Sequence, residues 1–434
     1  MTSYPGVVPE FRHHRSLKQI SQTVSGNYEF YGIVNIPPRY AEFGFDPAGA
    51  TRKCKEDTEI TYFRHRGSAQ ATITHVLGAR PNFMKAAPVI RALAALGHEQ
   101  RIVHTGQHYD ERMSQIFFVQ LGLEQPDVNL GVGSGSHARQ TAEVMIGMED
   151  EFTKNSPSLA VLYGDVNSTL GAALAGAKLG VPLAHVEAGL RSFDDSMPEE
   201  LNRRLTDQLC ALLFATSPEA IGHLANEGRP VGSVHLVGNP MIDTLLANMS
   251  RFDTAAARAA LGLPEKYAVV TLHRPANVDD PAKAAAFVRA LREVATELAL
   301  VIPVHPRGRA ALEAAGLSGQ ATIQVVPPLG YLEFMALVSG ASAVITDSGG
   351  VQEETTLLRV PCLTLRPNTE RPITVTSGSN RLVTPEQLAA AVLKACNDGP
   401  YDGELPPLWD GHAGSRIATI ITSWLAQGHL ADGQ

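Results

Sequence analysis

Cysteine is scarce in this sequence and scattered where it occurs. Cys54, Cys210, Cys362 and Cys396 show no metal-ligand spacing within 434 residues. That pattern predicts reduced, incidental thiols of a cytoplasmic protein rather than a disulfide framework or a zinc module. No apolar run is long enough to span a bilayer, so no membrane partner is expected. The N-terminal residues offer no apolar h-region, so no signal peptide is expected either. Positive charge is not in excess: Lys and Arg number 36 against 44 Asp and Glu, a net charge of −8. That balance argues against a nucleic-acid partner, although local basic residues can still hold a small anion. The G-x-G-x-x-G of a dinucleotide fold is missing, and so is the Gly-Lys-Ser/Thr of a Walker loop. The histidines are too dispersed for zinc, and no acid-rich loop suggests a Mg²⁺ cage. The expectation is therefore no metal and no cofactor.

What is present is a globular composition, 44% hydrophobic and 18% charged. The length suggests two domains and an appendage. Residues 1–70 stand apart, rich in Pro, Gly and aromatics, with His13-His14-Arg15 and no sustained periodicity. They read as a poorly ordered extension, with a surface-packing segment as the alternative. From Ala71 a regular α/β rhythm begins: strand ITHVLG, a helix through PNFMKAAPVIRALAAL, strand RIVHTG, and helices from about Glu111 and His137. Strands LAVLY, PLAHV, LLFATS and VHLVG follow, then a helix over 241–249. The pattern loosens over 251–263, read as a linker, and then repeats through YAVVTL, LVIPV, TIQVV, AVITD and PCLTL. Two such runs predict two doubly wound parallel-sheet, Rossmann-like domains, 71–250 and 251–414, facing a cleft. A closing helix over 415–426 is permitted to cross back onto the first domain.

Three groups of carboxylates fall in one stretch of the first half: Asp165 in YGDVNST, Glu187 in HVEAGLRS, and Glu199 with Glu200 in MPEELNRR. Strand LAVLY, a small-residue helix over 168–179 and strand PLAHV form a βαβ unit, whose strands must be parallel. Asp165 and Glu187 therefore leave the same sheet edge, where open α/β sheets bind ligands. Acids gathered in this way resist sharing full negative charge, so at least one is expected to have a raised pKa.

The second half reads as an anion holder. In VITDSGGVQEETTLL a strand ends at Asp347 and a helix opens at Ser348-Gly349-Gly350. Glycines let backbone approach a ligand, and the helix N-terminus favours phosphate. His273 and His305 each follow a strand, and Arg371 follows PCLTL. From the first half, Arg80 follows a strand and Lys85 lies early in the next helix. Each charged hydrogen bond is worth about 1.5–3 kcal/mol, and Arg can bind phosphate bidentately. Glu354 suits ribose hydroxyls, and Phe334 faces either a base ring or the core.

The motifs GARPNFMK, HTGQHYDERMS, YGDVNSTL, HVEAGLRS, PEELNRRLTD, GNPMID, TLHRPAN, PVHPRGR, TDSGGVQEE and TERP occur in that order. In this the chain resembles the non-hydrolysing UDP-N-acetylglucosamine 2-epimerases over about 72–425. The resemblance implies a GT-B-like fold, a UDP-sugar substrate, a homodimer and a role supplying surface-polysaccharide precursors. It also implies elimination of UDP to a 2-acetamidoglucal and re-addition with C2 inverted. By motif, Asp165, Glu187 and Glu199 fall on the proposed catalytic acids, and His273 on the partner of the leaving diphosphate. Arg80, Lys85, Ser348, Gly349, Gly350, Glu354 and Arg371 match nucleotide-binding positions. Gln107 and His108 belong to the region that binds an activating second substrate molecule in some members.

Some positions depart from that pattern. Asn82 stands where Glu is usual, Pro275-Ala276-Asn277 follows His273-Arg274, and YDERMS follows Gln107-His108. These departures also resemble relatives that act on UDP-2,3-diacetamido-uronic acids. Three further readings remain: a hydrolysing epimerase releasing free N-acetylmannosamine, a GT-B glycosyltransferase, and a silent nucleotide-sugar sensor. Retention of all three acids speaks against the last.

Overall fold

The computed structural model describes residues 72–428 apart from 107–117, 119, 273, 275, 276, 278, 279 and 305. The extension at 1–70, the helix expected from Glu111, and Gln107, His108, His273 and His305 therefore lie outside the described residues, as does the side chain of Arg80.

The first half opens with β1 (Thr72–Leu77), α1 (Arg80–Ala95), β2 (Glu99–His104), β3 (Val128–Asn129) and α2 (His137–Lys154). It continues through β4 (Leu159–Tyr163), α3 (Asn167–Leu179), β5 (Leu183–Ala188), α4 (Pro198–Leu209), β6 (Leu212–Ala215), α5 (Pro218–Asn226), β7 (Val234–Leu236) and α6 (Pro240–Asn248). All strand pairs are parallel, in the order β3-β2-β1-β4-β5-β6-β7. β4 is buried at every position, as a strand covered by helices on both faces must be.

The second half contains α7 (Thr254–Ala260), β8 (Tyr267–Thr271), α8 (Pro281–Val294), β9 (Ala299–Pro303), α9 (Pro306–Ala314), β10 (Ile323–Val326) and α10 (Tyr331–Ser339). β11 (Ala343–Thr346), α11 (Gly349–Leu358), β12 (Cys362–Thr364), α12 (Ile373–Thr376), β13 (Asn380–Leu382), α13 (Pro385–Asp398) and α14 (Ala413–Ala426) complete it. Its sheet order is β10-β9-β8-β11-β12-β13, again parallel throughout. The expected doubly wound α/β fold is therefore present in both halves. In each sheet the strand order reverses once, at β1/β4 and at β8/β11, and that reversal opens a crevice at the carboxyl ends of the strands.

The stretch read as a linker holds α7, whose Thr254 hydroxyl meets that of Ser339 at 2.9 Å. α14 packs on α1: Gly414 lies against the Pro88 backbone, and His98 meets Thr422 Oγ1 at 2.7 Å. Asp243, on α6, accepts from Ala413 N at 3.1 Å and Gly414 N at 2.7 Å. One apolar cluster runs from Phe83, Ile242 and Leu245 to Tyr331, Met335 and Val351, joining helices of both halves.

Candidate active site

The turn from β1 into α1 is held by Asn82, whose Oδ1 accepts from Gly78 N and Ala79 N, both at 3.0 Å. Its Nδ2 donates to Tyr163 O at 2.8 Å, so this side chain ties the start of α1 to the end of β4. The arrangement accounts for an amide at that position: it accepts at one end and donates at the other. One turn further on, Lys85 is buried and contacts Glu187 Oε2.

Glu187 sits near the end of β5 with φ +76, at a register shift between Val186 and Ala188. A bulky residue in that region of backbone space costs energy and persists only where its surroundings impose it. Those surroundings are identifiable. Asp207, fully buried on α4, grips His185 Nδ1 at 2.6 Å, Gly189 N at 3.1 Å and Arg191 Nη2 at 2.7 Å. His185 Nε2 in turn meets Gly164 O at 2.7 Å. The residues on either side of Glu187 are thus pinned to one buried carboxylate. Opposite, Gly164 has φ +65, and a Cβ there would lie 3.0 Å from Lys85 Nζ and 3.4 Å from Glu187 Oε2. Glycine at this position leaves room for the Lys85–Glu187 contact.

Asp165 follows directly and is about a quarter exposed; Arg203 Nη2 lies 2.6 Å from its Oδ2. Burial opposes its charge, but Arg203, Lys85 and Arg371 together hold it below the usual carboxylate range. Asp165 is therefore not an acid with a raised pKa, because cations outnumber its like-charged neighbours. Glu199 is half-buried at the start of α4, where its charge reaches Arg274. The following acid, Glu200, is the fully enclosed one.

From the second half, Arg371 reaches Glu187 Oε1 at 2.6 Å and Glu353 Oε1 at 2.9 Å, and it also pairs with Glu370. The Ser348-Gly349-Gly350 turn opens α11 as expected, but its glycines have a second use. A Cβ on Gly349 would collide with the Arg371 guanidinium, and one on Gly350 would lie 3.0 Å from Met241 Cε. Arg366 binds Glu370 at 2.6 Å, and Arg274 Nε donates to Asp347 O at 3.0 Å. Burial opposes ionisation of Glu370, yet Arg371, Arg366 and Arg203 hold it well below the usual range.

The carboxyls that are pushed up lie on α11. Burial raises Glu353 to about 7 against the pull of Arg371 and with the charge of Glu187 adding to it. Burial, then the charge of Glu353, raises Glu354 to about 8, beside the buried Tyr331. Phe334 is half-buried and packs against the apolar cluster.

The sequence reading missed Arg203, Arg274, Arg366, Glu353, Glu370 and the His185–Asp207 pair. A signal existed for one of them: Glu200 and Arg203 are three apart on a helix and so share a face. Among the described residues, no group of three or more His, Cys, Asp or Glu side chains is placed to hold a metal ion, and no helix is long and apolar enough to cross a membrane.

Acids at the strand ends of the first half thus meet Arg371 of the second half, which lies beside the N-terminus of α11. Residues 91–422 match the family described as UDP-N-acetylglucosamine 2-epimerase. The chain is similar to the UDP-N-acetylglucosamine 2-epimerase of Methanocaldococcus jannaschii, with 40% identity over 359 residues covering 80% of this chain and 98% of that one. It is also similar to the UDP-2,3-diacetamido-2,3-dideoxy-D-glucuronate 2-epimerase of Pseudomonas aeruginosa, with 42% identity over 363 residues covering 80% and 99%. The crystal structure of the M. jannaschii enzyme in complex with UDP-GlcNAc and UDP superposes with a TM-score of 0.77 over 81% of this chain and 99% of that chain, at 40% identity. The chain therefore belongs to the UDP-N-acetylglucosamine 2-epimerase family.

Proposed function

We propose that this enzyme reversibly interconverts UDP-N-acetylglucosamine and UDP-N-acetylmannosamine, supplying precursors for surface polysaccharide. The observation that carries the reading is Glu187, held at φ +76 between Lys85 and Arg371 at the meeting of the two halves. A C2 proton beside an acetal carbon has no carbonyl to acidify it, so loss of the proton must accompany departure of UDP. The C1–O bond breaks, its electron pair leaves with the β-phosphate, and the proton goes to a carboxylate. The product is a 2-acetamidoglucal with a C1–C2 double bond. Re-addition of the same oxygen to C1, with a proton delivered to the other face of C2, completes the inversion. Two faces require more than one acid/base group, and these are drawn from the catalytic acids Asp165, Glu187 and Glu199.

Arg371, Arg80, Lys85 and His305, with the Ser348-Gly349-Gly350 turn, hold the diphosphate, and His273 attends the leaving oxygen. Preorganised charge of this kind stabilises a developing anion. Glu354 takes the ribose hydroxyls and Phe334 lies toward the base. The enzyme works in the cytoplasm as a homodimer.

The test is incubation with UDP-N-acetylglucosamine in D₂O, followed by proton and phosphorus NMR. Deuterium at C2 with a UDP-N-acetylmannosamine signal is expected, and free N-acetylmannosamine with UDP would mean a hydrolysing reaction. The similarity to the P. aeruginosa enzyme favours one second reading, epimerisation of a UDP-2,3-diacetamido-uronic acid. Reaction of that substrate alone would establish it in place of the first.

A further inference from the structure

The PEELNRR segment contributes more than Glu199 to the cleft. On α4, Glu200 and Arg203 form a pair with side chains 1% and 2% exposed. Arg203 directs Nε at 2.9 Å and Nη2 at 2.6 Å to the same oxygen of Asp165, Oδ2. Its remaining arm, Nη1, donates to Glu200 Oε2 at 2.6 Å. Glu200 is itself committed, accepting from Ser192 N at 2.8 Å, Ser192 Oγ at 2.9 Å and Phe193 N at 3.1 Å. Asn202, between them, donates to the Asp165 carbonyl at 2.8 Å. Three residues of one helix turn therefore fix both the backbone and the side chain of Asp165.

We propose that Arg203 is a positioning residue that keeps Asp165 a permanent anion in the cleft, so that Asp165 stabilises positive charge at C1 while Glu187 and Glu199 carry the C2 proton. This rests on the reading of the reaction given above. The chemistry follows from the clamp. A carboxylate whose oxygen already accepts one guanidinium hydrogen bond and lies 2.6 Å from a second nitrogen of the same guanidinium is a weak proton carrier, because protonation would forfeit that charge-assisted pairing. The same fixed negative charge is well suited to a carbon gaining oxocarbenium character as UDP departs. Two carboxylates with environments that separate their roles is a known way to divide labour in sugar chemistry. The charged groups facing Asp165 are Arg203 from α4, Lys85 from α1, and Arg371 and Glu370 from the segment after β12; of these, Arg203 is hydrogen-bonded to it.

A merely structural ion pair would also destabilise the fold when one partner is removed, so stability does not discriminate. The test is titration of the Asp165 carboxyl in protein labelled with carbon-13 at the aspartate carboxyl, with Asp165→Asn identifying its signal. In the unaltered enzyme Asp165 is expected to stay ionised down to below the ordinary aspartate value of about 3.9. In Arg203→Gln the titration should move up towards or past that value, with kcat reduced at least tenfold and KM within about threefold, as for an interaction made in the transition state. Arg203→Lys, which keeps charge but loses the fork, should fall between. Glu200→Gln, which loosens Arg203 without removing it, should shift the titration the same way by less, and it carries the comparison should the Arg203 variants fail to fold.

An Asp165 that titrates at or above the ordinary value in the unaltered enzyme overturns the proposal. So does a titration that Arg203→Gln and Glu200→Gln leave unmoved. If no UDP-sugar acquires deuterium at C2, the reaction fails instead, and the titration still reports separately on the clamp.

Discussion

Arg371 Nη2 donates to Glu187 Oε1 across 2.6 Å, so a guanidinium carried by the second half holds the acid that the first half presents. Glu187 is thereby charge-paired from both sides, with Lys85 at its other oxygen. A neutral isostere keeps the shape and removes the proton acceptor. Glu187→Gln is expected to lower C2 deuterium exchange by at least a thousandfold while the affinity for UDP, read by calorimetry, changes less than about threefold. Exchange at an unaltered rate would remove Glu187 from the mechanism.

Arg371 itself is buried among Glu187, Glu353 and Glu370, and its planar fork serves several partners at once in a way an ammonium cannot. Arg371→Lys is expected to raise KM for the UDP-sugar by about ten- to a hundredfold, the range implied by one charge-assisted hydrogen bond at about 1.5–3 kcal/mol. Steady-state kinetics and UDP calorimetry should agree. A loss confined to kcat, with UDP affinity intact, would assign Arg371 to the acid and not to the diphosphate.

Gly164 offers a steric test of the same site. Its φ of +65 disfavours any Cβ, and the space a Cβ would take is bounded by Lys85 Nζ at 3.0 Å and Glu187 Oε2 at 3.4 Å. Gly164→Ala should cost about 1–2 kcal/mol of stability from backbone strain. It should lower kcat more than that loss explains, because Lys85 must move away from Glu187. A variant with lowered Tm and unaltered kcat would show that the contact tolerates displacement.

Much of this was legible in the sequence, for physical reasons that differ by element. β4 and β5 are apolar runs that lead straight into Asp165 and Glu187, so strand, edge and acid could be read together. α11 announced itself through Ser348-Gly349-Gly350 after an apolar strand. By contrast, β3 and β13 are 2 and 3 residues long, too short for any period to register. α4 was obscured because its mean composition is polar and its buried face is made of Glu200, Asn202, Arg203, Thr206 and Asp207. A helix that buries charge inverts the apolar stripe by which helices are recognised. For that reason the partners of Asp165 became visible only once the side chains were placed. The role of Gly349 was hidden for a related reason: the atom it accommodates belongs to Arg371, 22 positions away in sequence.

The closing helix gives a prediction about stability rather than chemistry. Asp243 accepts from the first two N–H groups of α14, at 3.1 and 2.7 Å, groups that have no partner within their own helix. Asp243→Ala leaves them unsatisfied in a buried place and should cost about 1–3 kcal/mol. Amide exchange in α14 should then rise ahead of exchange in β4 and β5. Uniform acceleration across all three elements would mean that α14 is not an independently opening segment.

Stability should also depend on pH through α11. Glu354 is buried with its carboxyl raised to about 8, and Glu353 with its carboxyl raised to about 7. Both folded-state values lie above the ordinary carboxylate value of about 4.3 for the unfolded chain. Between about pH 4.3 and 8 the unfolded chain therefore holds fewer protons than the folded one at these positions. Linkage then makes their contribution to stability fall as pH rises through that window, and leaves it fully present below it. Glu354→Gln keeps the shape of the neutral acid and has nothing to ionise. Its Tm should exceed that of the unaltered enzyme at pH 8, by roughly 2–4 °C for each kcal/mol recovered, and the two should converge towards pH 5. If Glu354 binds ribose hydroxyls as an anion, UDP affinity of the unaltered enzyme should rise across the same window, since binding and ionisation would then favour the same state. Calorimetry at pH 6 and pH 8.5 measures this directly. A Tm difference that does not vary with pH would mean that Glu354 is already ionised throughout, its charge matched by a partner other than Tyr331.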